Sequence, residues 1–180
     1  YSIIFFIFVS SISTYMRTKI FFISFIFILI AYNLFPQEKQ LFGFGDLDWN
    51  SSKVQVKELM KNRYHLSPGY EREDAIGYQG GQYFKEELFL WVYFFNNDSL
   101  QEVDLVVKNN DRPVGGIFYE VVHTLSEDYG DPDLYKPDDW TAEWFYYDFP
   151  GKKLKATIKV SPYFGETSTT LKISFLKAPI

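Results

Sequence analysis

Along residues 154–160, Leu154, Ala156, Ile158 and Val160 alternate with Lys155, Thr157 and Lys159, the two-residue rhythm of a strand with one buried and one wet face. Leu171, Ile173 and Phe175 repeat that rhythm against Lys172 and Ser174. The stretches LFLWVYFF (88–95), LQEVDLVV (100–107) and WTAEWFYYDF (140–149) are rich in aromatic and β-branched residues and predict three more strands. Asn96, Asn97, Asp98 and Ser99 join the first two as a four-residue hairpin turn. AIGYQGGQYF (75–84) predicts a weaker strand, bulged at its glycines.

Two segments change to the rhythm of a helix. In NSSKVQVKELMKNR (50–63), Ser52 and Gln55 have capping-box spacing, and Val56, Leu59 and Met60 share one side. Over residues 114–129, Phe118, Val122, Leu125 and Tyr129 line one side and Glu120, His123, Thr124 and Glu127 the other. Gly130 stands where a left-handed cap is wanted, and Pro132 cannot continue the helix. The order is therefore helix, three strands, helix, three strands, with residues 46–108 and 112–177 as two related halves. It predicts an α+β fold in which a mainly antiparallel sheet of about six strands carries two helices on one face.

Composition narrows the chemistry. The absence of cysteine excludes disulfides, thiolate nucleophiles and zinc–thiolate sites, and two histidines, His65 and His123, are too few for a His-rich metal centre. All 23 acidic residues lie after position 35, whereas Arg17 and Lys19 lie before it, so the remainder sets 16 basic against 23 acidic residues, a net −7. A net-acidic domain without a basic block repels phosphate backbones, so nucleic acid is not an expected partner.

Arg17 and Lys19 precede an apolar run, residues 20–35, broken only by Ser24 and Asn33 and followed by Pro36. This is the layout of a secretory signal, residues 16–35. The run of 16 residues falls short of the roughly 17–25 of a spanning helix, and Ala31 is its one good small residue, so a cleaved signal and an uncleaved anchor both stay open. Residues 1–15 read as an upstream extension ahead of Met16, leaving a single domain over residues 37–180. The expected location is the periplasm or cell envelope, with the membrane touched only through residues 16–35.

The stretch SEDYGDPDLYKPDDW (126–140) carries Glu127, Asp128, Asp131, Asp133, Asp138 and Asp139. It lacks the alternating ligands, central glycine and closing glutamate of a calcium loop, and reads as a helix stop followed by proline-centred turns, so neither metal nor cofactor is expected. Glu71, Glu73 and Asp74, and Glu86 with Glu87, are sequence neighbours that do not straddle a scissile bond. His123 sits on the polar helix side near two glutamates, and His65 has no nucleophile at recognisable spacing.

Strands covered by helices on one side should alternate, yet two here are apolar on both sides. In LFLWVYFF, Leu88, Leu90, Val92 and Phe94 oppose Phe89, Trp91, Tyr93 and Phe95; in WTAEWFYYDF, Trp140, Trp144 and Tyr146 oppose Phe145, Tyr147 and Phe149. If the helices cover one side, the other presents aromatic rings rimmed by lysines, a composition enriched at recognition surfaces. The expected binding platform is Trp91, Tyr93, Trp144 and Tyr146. The alternative is a face closed by residues 36–48, by the loop 64–74, or by a second copy of the chain.

The motifs W-N-S-S-x-x-x-V-K-x-L-M at the first helix, FFNNDSLQEV at the hairpin and L-x-x-x-Y-G-D-P at the end of the second helix together resemble small exported bacterial α+β proteins. More distantly, the chain is similar to the helix-plus-sheet modules of the β-lactamase inhibitor protein and of the small lipoprotein of the outer-membrane assembly machinery. It departs from both in having no cysteine to acylate or to bridge. The resemblance implies an envelope protein that binds through a sheet face and transfers no catalytic residue. The expectation is a non-enzymatic binder of a protein or an apolar ligand; the competing classes are a secreted hydrolase using loop carboxylates and a structural subunit whose aromatic face is a homodimer seam.

Overall fold

The structure is a computed structural model that describes residues 41–83, 85–148, 153–165 and 169–179, all within the unit Lys39–Ile180. The upstream extension and the signal or anchor over residues 16–35 lie outside the described residues. Among the described residues no helix is long and apolar enough to cross a membrane.

The fold is α+β. A two-stranded ribbon, β1 (Gly43–Phe44) and β2 (Leu47–Asp48), leads into helix α1 (Lys53–Arg63). Strands β3 (Tyr70–Glu71), β4 (Ala75–Gln79), β5 (Gln82–Tyr83), β6 (Glu86–Asn96) and β7 (Ser99–Val107) follow. Helix α2 (Val114–Tyr129), β8 (Leu134–Lys136), a 3-10 turn (Pro137–Asp139), β9 (Thr141–Tyr147), β10 (Leu154–Phe164) and β11 (Thr169–Lys177) complete the chain. The main sheet is antiparallel in the order β3-β4-β6-β7-β11-β10-β9-β8, with β5 also on β6.

The caps expected from sequence form. Ser52 N donates to Gln55 Oε1 at 2.7 Å and Gln55 N to Ser52 Oγ at 3.3 Å, a closed capping box. Asp98 adds its carboxylate to the same helix end by accepting from Lys53 N at 3.0 Å, where the helix dipole favours negative charge. Asp98 can do so because Asn97 and Asp98 both take positive φ (49° and 56°), making a tight hairpin that points its tip at α1. At the end of α2, Gly130 has φ 78° but ψ −177°. This is a glycine-only conformation rather than the left-handed helical one expected, and its N–H still caps Ser126 O at 2.9 Å.

The six strands expected from sequence are β4, β6, β7, β9, β10 and β11, and among the described residues the sheet holds nine. The surplus is short: β3, β5 and β8 have two or three residues each, too few for a hydrophobic rhythm to register. β4 and β5 are the single glycine-bulged strand split at Gly80 and Gly81, whose φ angles are 77° and 90°. The Trp91 indole fills that kink and donates to Gly80 O at 2.6 Å; a Cβ on Gly81 would come within 3.1 Å of the same nitrogen. The strands that follow the first helix, β3–β7, and those that follow the second, β8–β11, meet through the last of each set, β7 on β11, in the register Val103↔Phe175, Asp104↔Ser174 and Leu105↔Ile173.

One continuous core lies between the helices and the sheet. Val56 and Met60 of α1, and Ile117, Phe118, Val121, Val122 and Leu125 of α2, join Ile76, Tyr78, Val103, Leu105, Ile158, Val160, Leu171, Ile173 and Phe175 in it. Both helices therefore pack on the same sheet face. The opposite face carries Glu102, Asp104, Glu143, Lys159, Lys172 and Ser174, and among the described residues no helix packs on it.

Candidate ligand-binding cleft

The structure corrects the expected aromatic platform. Trp91 and Tyr93 are fully buried, Trp144 is 2% and Tyr146 6% exposed, and all four belong to the core under the helices. The face parity is the reverse of that expected because the gap between helices and sheet takes the bulkiest rings. Leu90, Val92 and Phe94, with Glu143 and Phe145, are left for the other side. Three of these rings are tied from within: Trp91 Nε1 donates to Gly80 O and Trp144 Nε1 to Gly130 O, each at 2.6 Å, and Tyr93 OH to Met60 Sδ at 3.1 Å. The buried Tyr146 hydroxyl has no hydrogen-bond partner among the described residues. Burial holds the Tyr93 hydroxyl well above the ordinary phenol range, raises Tyr146 with help from Tyr129 and Asp133, and pushes Tyr78 up to about 12, so these hydroxyls stay neutral.

Of the four, Tyr146 also lines a surface cleft, built by three segments. The first is residues 41–49. Gly45 turns the ribbon at φ 59°, and Gly43 admits no side chain because a Cβ there would lie 1.8 Å from Leu47 O. Trp49 locks this segment, its backbone N–H on Phe42 O and its indole N–H on Leu41 O, each at 3.0 Å. Phe44 and Trp49 thereby point into the core while Phe42 stands 70% exposed at the rim. The second segment is the open end of the β9–β10 pair, where the register slips between Leu154 and Ala156 and so re-aims Lys155. The third is the end of β11, with Lys177 paired to Ala156 and Ala178 N–H donating to Lys155 O at 2.8 Å.

The resulting cleft has a volume of about 390 Å³, with Phe42, Trp49, Tyr146 and Leu154 as its apolar lining and Lys153, Lys155 and Lys177 around it. Asp148 accepts from Lys153 N at 2.8 Å and stands 4.0 Å from Lys155 Nζ. The ammonium groups of Lys153 and Lys177 have no ion pair among the described residues.

At the far end of β10, about 30 Å away at roughly 3.3 Å per residue, a broader depression of about 1010 Å³ lies between Phe89, Tyr163 and the loop from Lys108 to Arg112. Its cations are neutralised: Arg112 grips Glu86 and also Glu120 at 2.7 Å, and Lys108 Nζ is 3.0 Å from Glu87. The Lys108 and Asn110 hydrogen bonds lower the Glu87 carboxyl from its ordinary value.

The remaining sequence candidates stay apart. His123 is 77% exposed with Nε2 3.7 Å from Glu127. His65 lies exposed in the loop after α1 at φ 56°. In the acidic stretch, Asp133 accepts from Phe145 N at 2.7 Å, pinning the proline turn to β9. Glu71 pairs with Lys57 at 2.6 Å. Among the described residues no three His, Asp or Glu side chains converge as a metal site would require.

A carboxyl pair went unnoticed in the sequence although its signal was present. In LQEVDLVV, Glu102 and Asp104 are two apart on one strand and so share a face. Asp104, 8% exposed, accepts from Ser174 Oγ at 2.5 Å and Lys172 Nζ at 2.9 Å. Burial, the Asp104 charge and a hydrogen bond to Asp104 push Glu102 up to about 7. The pair lies on the flat, helix-free face and lines none of the clefts described. Comparison of the chain with models of known protein families, with curated proteins and with solved structures returns no match to any of them.

Proposed function

We propose that this chain is an exported, envelope-associated binding protein that holds an apolar ligand in the cleft of Phe42, Trp49, Tyr146 and Leu154 and carries out no catalysis. The observation that carries the reading is an aromatic ring held open to solvent at the rim by an anchored frame: Phe42 is 70% exposed while its neighbours Phe44 and Trp49 are fixed in the core. A volume of about 390 Å³ is within the roughly 300–1,000 Å³ of small-molecule sites. The signal-like residues 16–35 support export. The carboxylate at the cleft, Asp148, is already engaged by Lys153 N at 2.8 Å and lies 4.0 Å from Lys155 Nζ, which favours binding over turnover.

The test is titration of the protein with the neutral dye N-phenyl-1-naphthylamine. The expected result is saturable fluorescence enhancement from one class of site, weakened at least about tenfold by Phe42→Asp while the melting temperature holds, because Phe42 is exposed. Enhancement indifferent to Phe42→Asp would place the dye elsewhere and defeat the reading. A glycan panel incubated with the protein separates it from a hydrolase, since a binder shows saturation without product.

A further inference from the structure

Resting on the cleft reading above, we infer that the ligand is a single-chain amphipathic anion, its carboxylate or phosphate head taken by Lys153 and Lys177 and its tail laid on Phe42, Trp49 and Leu154. The inference comes from where charge is left unbalanced. Beyond position 35 the chain carries −7. Elsewhere Lys108, Lys159 and Lys172 each have a carboxylate within 3.0 Å. Further cations that have no ion pair among the described residues, including Lys61, Arg72, Lys85 and Lys136, stand apart from the cleft. Around the cleft the sign reverses. Among the described residues three lysines face one carboxylate there, Asp148, which is engaged by Lys153 N and by Lys155.

Free ammonium groups beside an apolar trough bind an anionic head without the desolvation cost of a buried pair, because each lysine keeps its charge in water while its stem lines the wall. The register ensures this arrangement, since Lys177 sits opposite Ala156 just past the slip that re-aims Lys155. The volume suits one acyl chain and is too small for a two-chain lipid. The depression at the other end of β10 offers no such head site, as its arginine and lysine are already held by Glu86, Glu87 and Glu120.

The experiment is displacement of bound N-phenyl-1-naphthylamine by dodecanoate, dodecyl phosphate and dodecanol, each below its aggregation limit, on the wild type and on the double variant Lys153→Glu/Lys177→Glu. At least one anion should displace the dye at about tenfold lower concentration than dodecanol. That advantage should shrink with added salt and vanish in the double variant, with dodecanol unchanged. The more effective anion identifies the head group as carboxylate or phosphate. Equal displacement by dodecanol, or an advantage that survives the double variant, overturns the anionic head while leaving the cleft reading intact. Dye binding that none of the three competes with overturns the acyl ligand, and absence of dye binding removes the cleft reading and this inference together.

Discussion

Trp144 and Phe145 are neighbours on β9, yet one is 2% exposed beneath the helices and the other sits half-buried on the helix-free face. The same division runs across the sheet. Under the helices the strands present a continuous apolar layer of Trp, Tyr, Ile, Val and Phe. On the other face the central strands present Asp104, Lys172 and Ser174, bonded to one another, beside the Lys159–Glu143 pair at 2.9 Å. The apolar content of a strand therefore does not say which side meets the helices. What decides is where the neighbouring strands put their polar residues, because a sheet face is a property of all its strands.

The largest effect expected on this contrast is from truncating the two neighbours in turn. Trp144→Ala should cost about 3–5 kcal/mol, the range for a large ring removed from a packed core, with the Gly130 O bond lost as well. Phe145→Ala should cost about 1 kcal/mol. Urea midpoints of the two variants check this, and equal losses would mean that the helix-free face is covered after all.

Next in size is Asp104→Ala. It leaves the nearly buried Ser174 hydroxyl and the Lys172 ammonium without their acceptor, which should cost about 2 kcal/mol. Pairing it with Ser174→Ala should recover part of that loss, because one orphaned donor goes too. A double-mutant cycle measures the recovery, and strict additivity would show that the two groups do not act together.

How much of this was legible beforehand follows from the same faces. The helices, their capping box, the hairpin and the six long strands were readable because each is a local signal: Ser52 with Gln55, Asn97-Asp98, the Lys–apolar alternation of residues 154–160. The face assignment of Trp91, Tyr93, Trp144 and Tyr146 was not, for two reasons. Both parity sets of those strands are apolar, and a bulge breaks parity inside β6, where the register shifts between Leu88 and Leu90. Leu88 therefore joins Trp91, Tyr93 and Phe95 in the core, while Phe89 is turned 56% out. The cleft was illegible because it gathers Phe42, Tyr146, Lys153 and Lys177 from three distant segments.

A smaller effect concerns Glu102. Its carboxyl is raised from 4.5 to about 7 in the fold by burial and by Asp104, so the folded chain holds a proton there that the unfolded chain has released. The stabilising contribution is complete below pH 4.5 and is lost as pH rises through about 7. Solvent screening at this half-exposed site keeps the change on the order of 1 kcal/mol. Glu102→Gln should flatten the decline in urea midpoint between pH 5 and pH 8; an unchanged slope would assign the decline to other groups.

The smallest effect is Gly77→Ala, and its value is that it tests the helix-free face directly. Gly77 is buried at the centre of β4, and the Tyr70 ring lies over it, so close that an added Cβ would sit 1.9 Å from the ring edge. On the core face such an overlap would be resisted by packed neighbours and cost a few kcal/mol. Here the ring belongs to a two-residue edge strand and is 38% exposed, so it can swing toward solvent. Alanine also restricts the unfolded chain more than glycine, which offsets part of the lost contact. The net change in stability should stay within about 0.5 kcal/mol while Tyr70 gains exposure, read as faster iodination at that ring. A loss of several kcal/mol would mean that Tyr70 is held in place, and the face it covers would then have to be counted as a second packed layer.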